Sequence, residues 1–404
     1  MNLLTVSSSP HIRRPDSIAR AMWSVNLALL PALVASGYFF GWRALWVVGL
    51  SVLTAVVSEA AVQALRKQPV TVRDGSAVVT GILVAFCMPA TVRWFVPVVG
   101  SATAILIAKH CFGGLGYNIW NPALVGRAVV HNCYPADMNP AQYPVVRTLA
   151  SGEGPAAWLR NVVHHFTVDV GAVAQRAVSP DAITGASPLS AMKRAVALGG
   201  GEAATLAGKF ATVFQRTAPL LDKNPGTDPA LLHKVGLWDA FVGNIGGNIG
   251  EVCALLLILG AVYLVARGYV RWYVPVLYVG TVAFLAAVLP LPLGAGESKW
   301  VWAAALRAGP EGWHYVGYHV LCGGLMLGAL YMATDMVTSP LTPKGLAVFA
   351  VGCGALTALI RLYGGYPEGV CYSILIMNTA VPVIDRWTAP RVFGAARKEQ
   401  EQAA

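Results

Sequence analysis

Long apolar runs decide what this chain can become. Stretches near residues 21–40, 44–65, 94–109, 248–266, 272–290, 318–337, 345–361 and 369–385 are almost free of charge. Several have the roughly 17–25 residues that carry a helix across a hydrocarbon core about 30 Å thick. Shorter runs at 76–90 and 120–134 complete the set. A backbone in lipid must satisfy its own N–H and C=O groups, so runs of this length read as helices. The composition agrees: 12% of residues are charged, against roughly 25% in soluble domains. Trp23, Trp42, Trp46, Trp94, Trp120, Trp238, Trp272 and Trp387 fall near proposed span ends, where an interfacial aromatic belt belongs.

The net charge of +10 follows from the same topology. No Lys/Arg cluster interleaves with aromatics, which argues against nucleic-acid binding. With the N-terminus inside, cytoplasmic segments hold Arg13, Arg14, Arg20, Arg66, Lys67, Arg73, Lys109, Arg267, Arg271, Lys344, Arg386, Arg391, Arg397 and Lys398, whereas short outside loops hold Arg43, Arg93 and Arg361. That bias is the positive-inside rule, and it places both termini in the cytoplasm. The first residues lack a signal-peptide apolar core, so the first helix directs insertion. The expected organisation is a cytoplasmic segment 1–20, a membrane repeat 21–134, an extracytoplasmic insertion 135–235, a second membrane repeat 236–390 and a cytoplasmic tail 391–404. An insertion of that length is more than an inter-helix loop needs and points to function.

The halves echo one another. Gly81–Pro89, an apolar helix ending at Lys109, Phe112-Gly113-Gly114 and Asn121-Pro122 are followed in the same order by Gly328–Asp335, a helix ending at Arg361, Tyr363-Gly364-Gly365, and Asn378 with Val381-Pro382. The fold class expected is therefore an all-α polytopic membrane protein, with about ten helices in two inverted five-helix repeats and a large extracytoplasmic insertion. A Gly-Gly after an apolar helix also serves as an ordinary C-cap, which is the plain alternative.

Candidate chemistry is sparse and therefore informative. Cys87, Cys111, Cys133, Cys253, Cys322, Cys353 and Cys371 form no CxxC pair, and His110, His131, His164, His165, His233, His314 and His319 show no ligand spacing on one helix face. Neither pattern points to a metal centre. Glu59, Glu251, Asp335 and Asp385 lie in or at the ends of spans. An acid in hydrocarbon costs about 2.5–3.5 kcal/mol on insertion scales, so each needs a cavity, a partner or a proton, and these four are candidates for an ion pathway. For Asp385, interfacial pairing with Arg386 is an equal alternative. In the insertion, Asp181-Ala182-Ile183-Thr184-Gly185-Ala186-Ser187-Pro188 reads by itself as a helix start, with Ser187 as N-cap and Pro188 at the first position.

That segment also looks like the acceptor pattern D-x-x-[ST]-G-A-[ST] of flavin transferases. The whole chain resembles the D-type subunits of Rnf ion-translocating electron-transport complexes and the homologous B-type subunits of sodium-translocating NADH:quinone oxidoreductases. The likeness is carried by Ser9-Pro10-His11, Phe112–Asn118, Asn121-Pro122-Ala123, Gly243–Gly247, Ala333-Thr334-Asp335, Gly364–Gly369 and Pro390–Gly394. It implies FMN joined through its phosphate to Ser187, with Asp181, Thr184, Gly185 and Ala186 forming the rest of the attachment motif; the usual acceptor is Thr. It implies a second, non-covalent flavin (riboflavin) beside Asn118 and Asn121, set in Gly116-Tyr117-Asn118-Ile119-Trp120-Asn121-Pro122; the alternative there is a Pro-broken helix capped by Asn. It further implies a bacterial cytoplasmic-membrane location and electron transfer between ferredoxin and NAD coupled to Na⁺ or H⁺ movement. The implied partners are an extracytoplasmic flavin subunit, membrane Fe–S subunits and cytoplasmic NAD/Fe–S subunits. No nucleotide-binding G-x-G-x-x-G follows a strand, so the chain is expected to be inactive alone. The competing reading is a solute channel or transporter on the same inverted repeat, which would have no use for the Ser187 motif.

Overall fold

A computed structural model describes residues 17–138, 189, 192–193, 196, 209–210, 237–243, 247–251, 253–292, 300–365 and 368–390. Helix α1 (Ile18–Phe40) begins at Ser17, whose side chain accepts from the Arg20 N–H, and ends at Gly41. Gly41, at φ 72 and ψ −163, leads straight into α2 (Trp42–Leu65). This sharp reversal between two long helices uses a backbone region that is open to glycine. On α2 the buried residues Ser51, Ala55, Glu59 and Gln63 recur every fourth position. Large apolar side chains between them, Leu53 at 60% and Val57 at 57%, are exposed. Polar and small groups inside with apolar groups outside is the pattern of a bundle in lipid, where burying oil against oil gains little and close packing and hydrogen bonds hold helices together.

Helix α3 (Ser76–Phe86) is buried along nearly its whole length. Its 11 residues make about 16 Å of helix, half a hydrocarbon core. It lies backbone to backbone on α2: a Cβ on Gly81 would fall 2.6 Å from Val52 Cα, and the Ser51 hydroxyl donates to the Gly81 carbonyl at 2.8 Å. Helix α4 (Phe95–Thr103) runs on as a π-helical segment, Ala104–His110. After a turn with positive φ at Gly113, Gly114 and Gly116, α5 (Pro122–Cys133) starts from Asn121, with Pro122 at its first position.

The second half opens with α6 (Leu237–Val242), a 3₁₀ turn (Ile249–Glu251), α7 (Ala254–Ala266) and α8 (Tyr273–Val288). A two-residue antiparallel pairing of Leu291–Pro292 with Trp300–Val301 precedes α9 (Ala304–Arg307) and α10 (Pro310–Leu321). Then come α11 (Leu325–Leu327) with its π-helical continuation Gly328–Met332, α12 (Pro343–Tyr363) and α13 (Val370–Trp387). The run 318–337, expected as one span, is bent: α10 and Leu325–Met332 meet at 55°. The cause is local. Gly323 has φ +75, and a Cβ there would stand 3.0 Å from Arg361 Nη2 and 3.3 Å from Glu368 Oε1, so charged groups occupy the space a continuous helix would fill. Likewise α7 begins only at Ala254, after the 3₁₀ turn that carries Glu251.

Helices α1, α2 and α12 are each long and apolar enough to cross a membrane, and the bent α10–Met332 pair passes that test as one broken span. The main core joins both halves. Its tightest crossing is α1 on α7, where a Cβ on Gly260 would run into the Ala28 carbonyl oxygen. Tyr331 locks that crossing by donating to Ala28 O at 3.2 Å and Leu257 O at 2.9 Å. A smaller core gathers Leu189, Met192, Val196 and Phe210 against α10 and the end of α8.

Candidate functional site

Among the buried polar groups of this apolar interior, three sets gather around acids. The first surrounds Glu59. Lys109, at the end of the π-helical segment, donates to Glu59 Oε1 at 2.8 Å, Glu59 Oε2 at 2.7 Å and Ser76 Oγ at 2.7 Å. An ammonium has three protons, and these acceptors take all of them. Both residues are 1% exposed, so each is tolerable only because of the other. Ser76 passes the chain outward, its hydroxyl donating to Asp74 Oδ1 at 2.7 Å. Gln63 completes the group, with Nε2 3.4 Å from Glu59 Oε1 and Oε1 accepting from the Thr71 N–H at 2.9 Å.

The second set lines a cavity of about 110 Å³ between the start of α1, α3, the 115–123 turn and the Tyr331–Val337 segment. Asn121 caps α5, accepting from Ala123 N at 3.0 Å and Leu124 N at 3.4 Å, and its Nδ2 donates across to Met332 O at 3.2 Å. Asn378 interlocks with it: turned to suit both neighbours, its amide donates to Thr338 O and accepts from Asn121 N, each at 3.1 Å. Asn118 is buried, and its Oδ1 meets no partner among the described residues. Asp335 accepts from Val337 N at 3.3 Å and Thr338 Oγ1 at 3.1 Å, which fixes the turn after the π segment. Lys109 reaches this cavity as well, so the first set borders the second. Apolar walls with a few convergent polar atoms are the usual form of a small-molecule site.

The third set lies deeper, around Glu251. Its Oε1 accepts from Asn248 Nδ2 at 2.6 Å and its Oε2 from Asn248 N at 3.3 Å. Glu251 also hydrogen-bonds Glu368, and Glu368 is salt-bridged to Arg127 of α5. Arg361 also approaches Glu368 beside Gly323, so two carboxyls and two guanidinium groups share one buried cluster. Asp385 differs from the other acids: it sits near the end of α13 and accepts from Leu341 N at 3.0 Å, a helix-end contact rather than a cavity one.

Glu59, Asn118, Asn121 and Asp335 thus lie around connected space, Glu251 belongs to a separate cluster, and Asp385 stands apart. Asp181, Thr184, Gly185, Ala186 and Ser187 fall outside the described residues; the nearest described residue, Leu189, packs in the smaller core. Lys109, Arg127, Asn248, Glu368 and Asn378 join the site although sequence reasoning named none of them as a site candidate; Lys109 and Asn378 entered only as landmarks of the repeat. Arg127 carries a signal, a cation inside an apolar helix, whereas Glu368 sits in a Gly-Tyr-Pro-Glu-Gly stretch that reads as a surface turn.

An apolar exterior around buried ion pairs, with an apolar-walled cavity that carries a few convergent polar groups, marks a multi-pass membrane protein. The chain belongs to the NQR2, RnfD, RnfE family, whose model matches residues 5–394. It is 38% identical to the D-type subunit of the proton-translocating ferredoxin:NAD⁺ oxidoreductase complex of Clostridium ljungdahlii, over 98% of each chain. It is also 38% identical to the D-type subunit of the Na⁺-translocating ferredoxin:NAD⁺ oxidoreductase complex of Acetobacterium woodii, over 99% of this chain and 98% of that one. The corresponding subunit of the ion-translocating oxidoreductase complex of Stutzerimonas stutzeri is 35% identical, over 94% of this chain and 93% of that one.

Proposed function

We propose that this chain is the D-type membrane subunit of an Rnf complex, coupling electron transfer between ferredoxin and NAD⁺ to ion translocation across the bacterial cytoplasmic membrane. The observation that carries this reading is the end-to-end likeness to subunits of such complexes, in a chain whose interior holds ion pairs where a mere anchor would hold none. Equal identity to a proton- and a sodium-linked relative means that overall similarity does not select the ion. In this reading both termini are cytoplasmic. About ten crossings form two inverted repeats; α3 and the Leu325–Met332 segment correspond as short buried elements, and α4 with its π-helical continuation corresponds to α12, each carrying a buried cation near its end, Lys109 and Arg361. The electron partners are an extracytoplasmic flavin subunit, membrane Fe–S subunits and cytoplasmic NAD/Fe–S subunits.

Ser187 supplies the hydroxyl for a phosphoester to FMN, and the bound flavin contributes one- and two-electron chemistry. A second, non-covalent flavin (riboflavin) is the expected ligand beside Asn118 and Asn121. The unpartnered Asn118 Oδ1 is an acceptor for the ring imide N–H, and the apolar walls suit its faces. Glu59, Asp335 and the Glu251–Glu368 pair offer the cation its buried oxygen ligands or proton carriers. The test is ferredoxin-driven ion uptake by vesicles bearing the complex. Glu59→Gln and Glu251→Gln should each lower uptake at least tenfold, and full uptake in both would remove these acids from the path.

A further inference from the structure

Apart from the Asn118 cavity, a pocket of about 90 Å³ is lined by Leu189, Met192, Lys193, Tyr315, His319 and Arg361, among others. That is several times the space one water needs. Its polar lining is cationic or proton-donating, and none of its lining residues is an acid. Arg361 is 2% exposed. It spends Nη1 on His319 O and Nη2 on Cys322 O, while its Nε–H meets no acceptor among the described residues. The carboxylates that act on it, Glu368 and Glu251, are engaged with one another and with Arg127. His319, also buried, has an Nε2 with no partner among the described residues. Lys193 leans its ammonium onto the terminal carbonyls of α12, Ile360 O and Gly364 O. Burial pushes the Lys193 ammonium down from its ordinary pKa, and an anion beside it would reverse that.

A desolvated guanidinium and an imidazole with idle donors call for an anion, and a guanidinium fork matches phosphate oxygens best. One source is bound to be close. Leu189 walls the pocket and follows Ser187 by two residues, which span at most about 7 Å even when fully extended. We propose that Arg361, with His319 and Lys193, seats a phosphate ester, and that its occupant is the phosphate of the flavin esterified on Ser187. This rests on the attachment proposed above. The phosphodiester brings one negative charge and free oxygens, so it can accept from the idle Arg361 Nε–H and fix where the flavin is tethered.

The test uses the intact complex in a phosphate-free detergent, with nitrogen-labelled arginine and phosphorus–nitrogen dipolar recoupling by solid-state NMR. Flavin fluorescence of the denatured band is scored in parallel. Guanidinium-to-phosphorus coupling is expected in the wild type, lost in Ser187→Ala, and lost in Arg361→Lys, whose band should still fluoresce because charge and attachment are kept. Coupling that survives Ser187→Ala would mean that a lipid or free phosphate fills the seat and would overturn the proposed occupant. A fluorescent wild-type band without coupling would overturn the seat and leave the attachment standing. A dark wild-type band would overturn the attachment and the seat with it. Labelled histidine gives a second reading that needs no Arg361 variant to assemble: His319 should couple in the wild type, and its silence would overturn its place in the seat.

Discussion

Glu59 and Lys109 set the energetics of the interior residue by residue. Breaking a buried ion pair from one side strands the other charge and costs about 3–5 kcal/mol, whereas replacing both partners by neutral groups is often close to neutral. Glu59→Gln alone should therefore lower the melting temperature of the solubilised protein strongly, and Glu59→Gln with Lys109→Met should recover most of it. Melting curves that show the double variant no better than the single one would contradict this pairing. Recovery of stability without recovery of ion uptake would assign Glu59 a role beyond structure. Asn121 makes a smaller contribution: Asn121→Ala removes the α5 cap and the link to Met332, for about 1 kcal/mol at the cap, and hydrogen exchange should rise at the start of α5 first. The acids were legible in the sequence because an acid inside an apolar run needs an explanation. Their distant partners were not, since Lys109 lies far from Glu59 along the chain and Glu368 far from Glu251, and only tertiary packing joins them.

Among the elements, close backbone crossings matter more than side-chain volume. A Cβ at Gly260 would overlap both a carbonyl oxygen of α1 and the Tyr331 hydroxyl. Gly260→Ala should therefore separate α1 from α7 and break the Tyr331 bonds, and it should raise protease sensitivity of the folded chain by an order of magnitude or more. Gly41→Ala meets nothing within 4 Å and suffers only the backbone strain of its φ 72, ψ −163 conformation, about 1–3 kcal/mol. If the two variants proved equally harmful, packing would not be the reason for Gly260. The long helices α1, α2 and α12 were readable from their apolar runs. The break at Cys322–Gly324 was not, because the run through it stays apolar, and the groups that force it, Arg361 and Glu368, arrive from elsewhere in the chain.

Taken whole, the molecule makes a statement about sidedness that its own cysteines can check. Cys111 and Cys133 are exposed, while Cys87, Cys253, Cys322, Cys353 and Cys371 are buried. With both termini inside, the end of α4 faces the cytoplasm and the end of α5 faces outward. A membrane-impermeant thiol reagent added to intact cells should mark Cys133 and spare Cys111; the reverse pattern would invert the topology. The proposed topology puts the Ser187 motif outside, on the side expected for the inferred phosphate seat of Arg361. An attached flavin is what separates a redox subunit from a permease on a similar scaffold. Ultraviolet fluorescence of the band on a denaturing gel decides it, because only a covalent flavin stays with the chain. The wild-type band should fluoresce and an equal amount of Ser187→Ala should be dark; a dark wild-type band, or a Ser187→Ala band equally bright, would contradict flavin attachment at Ser187.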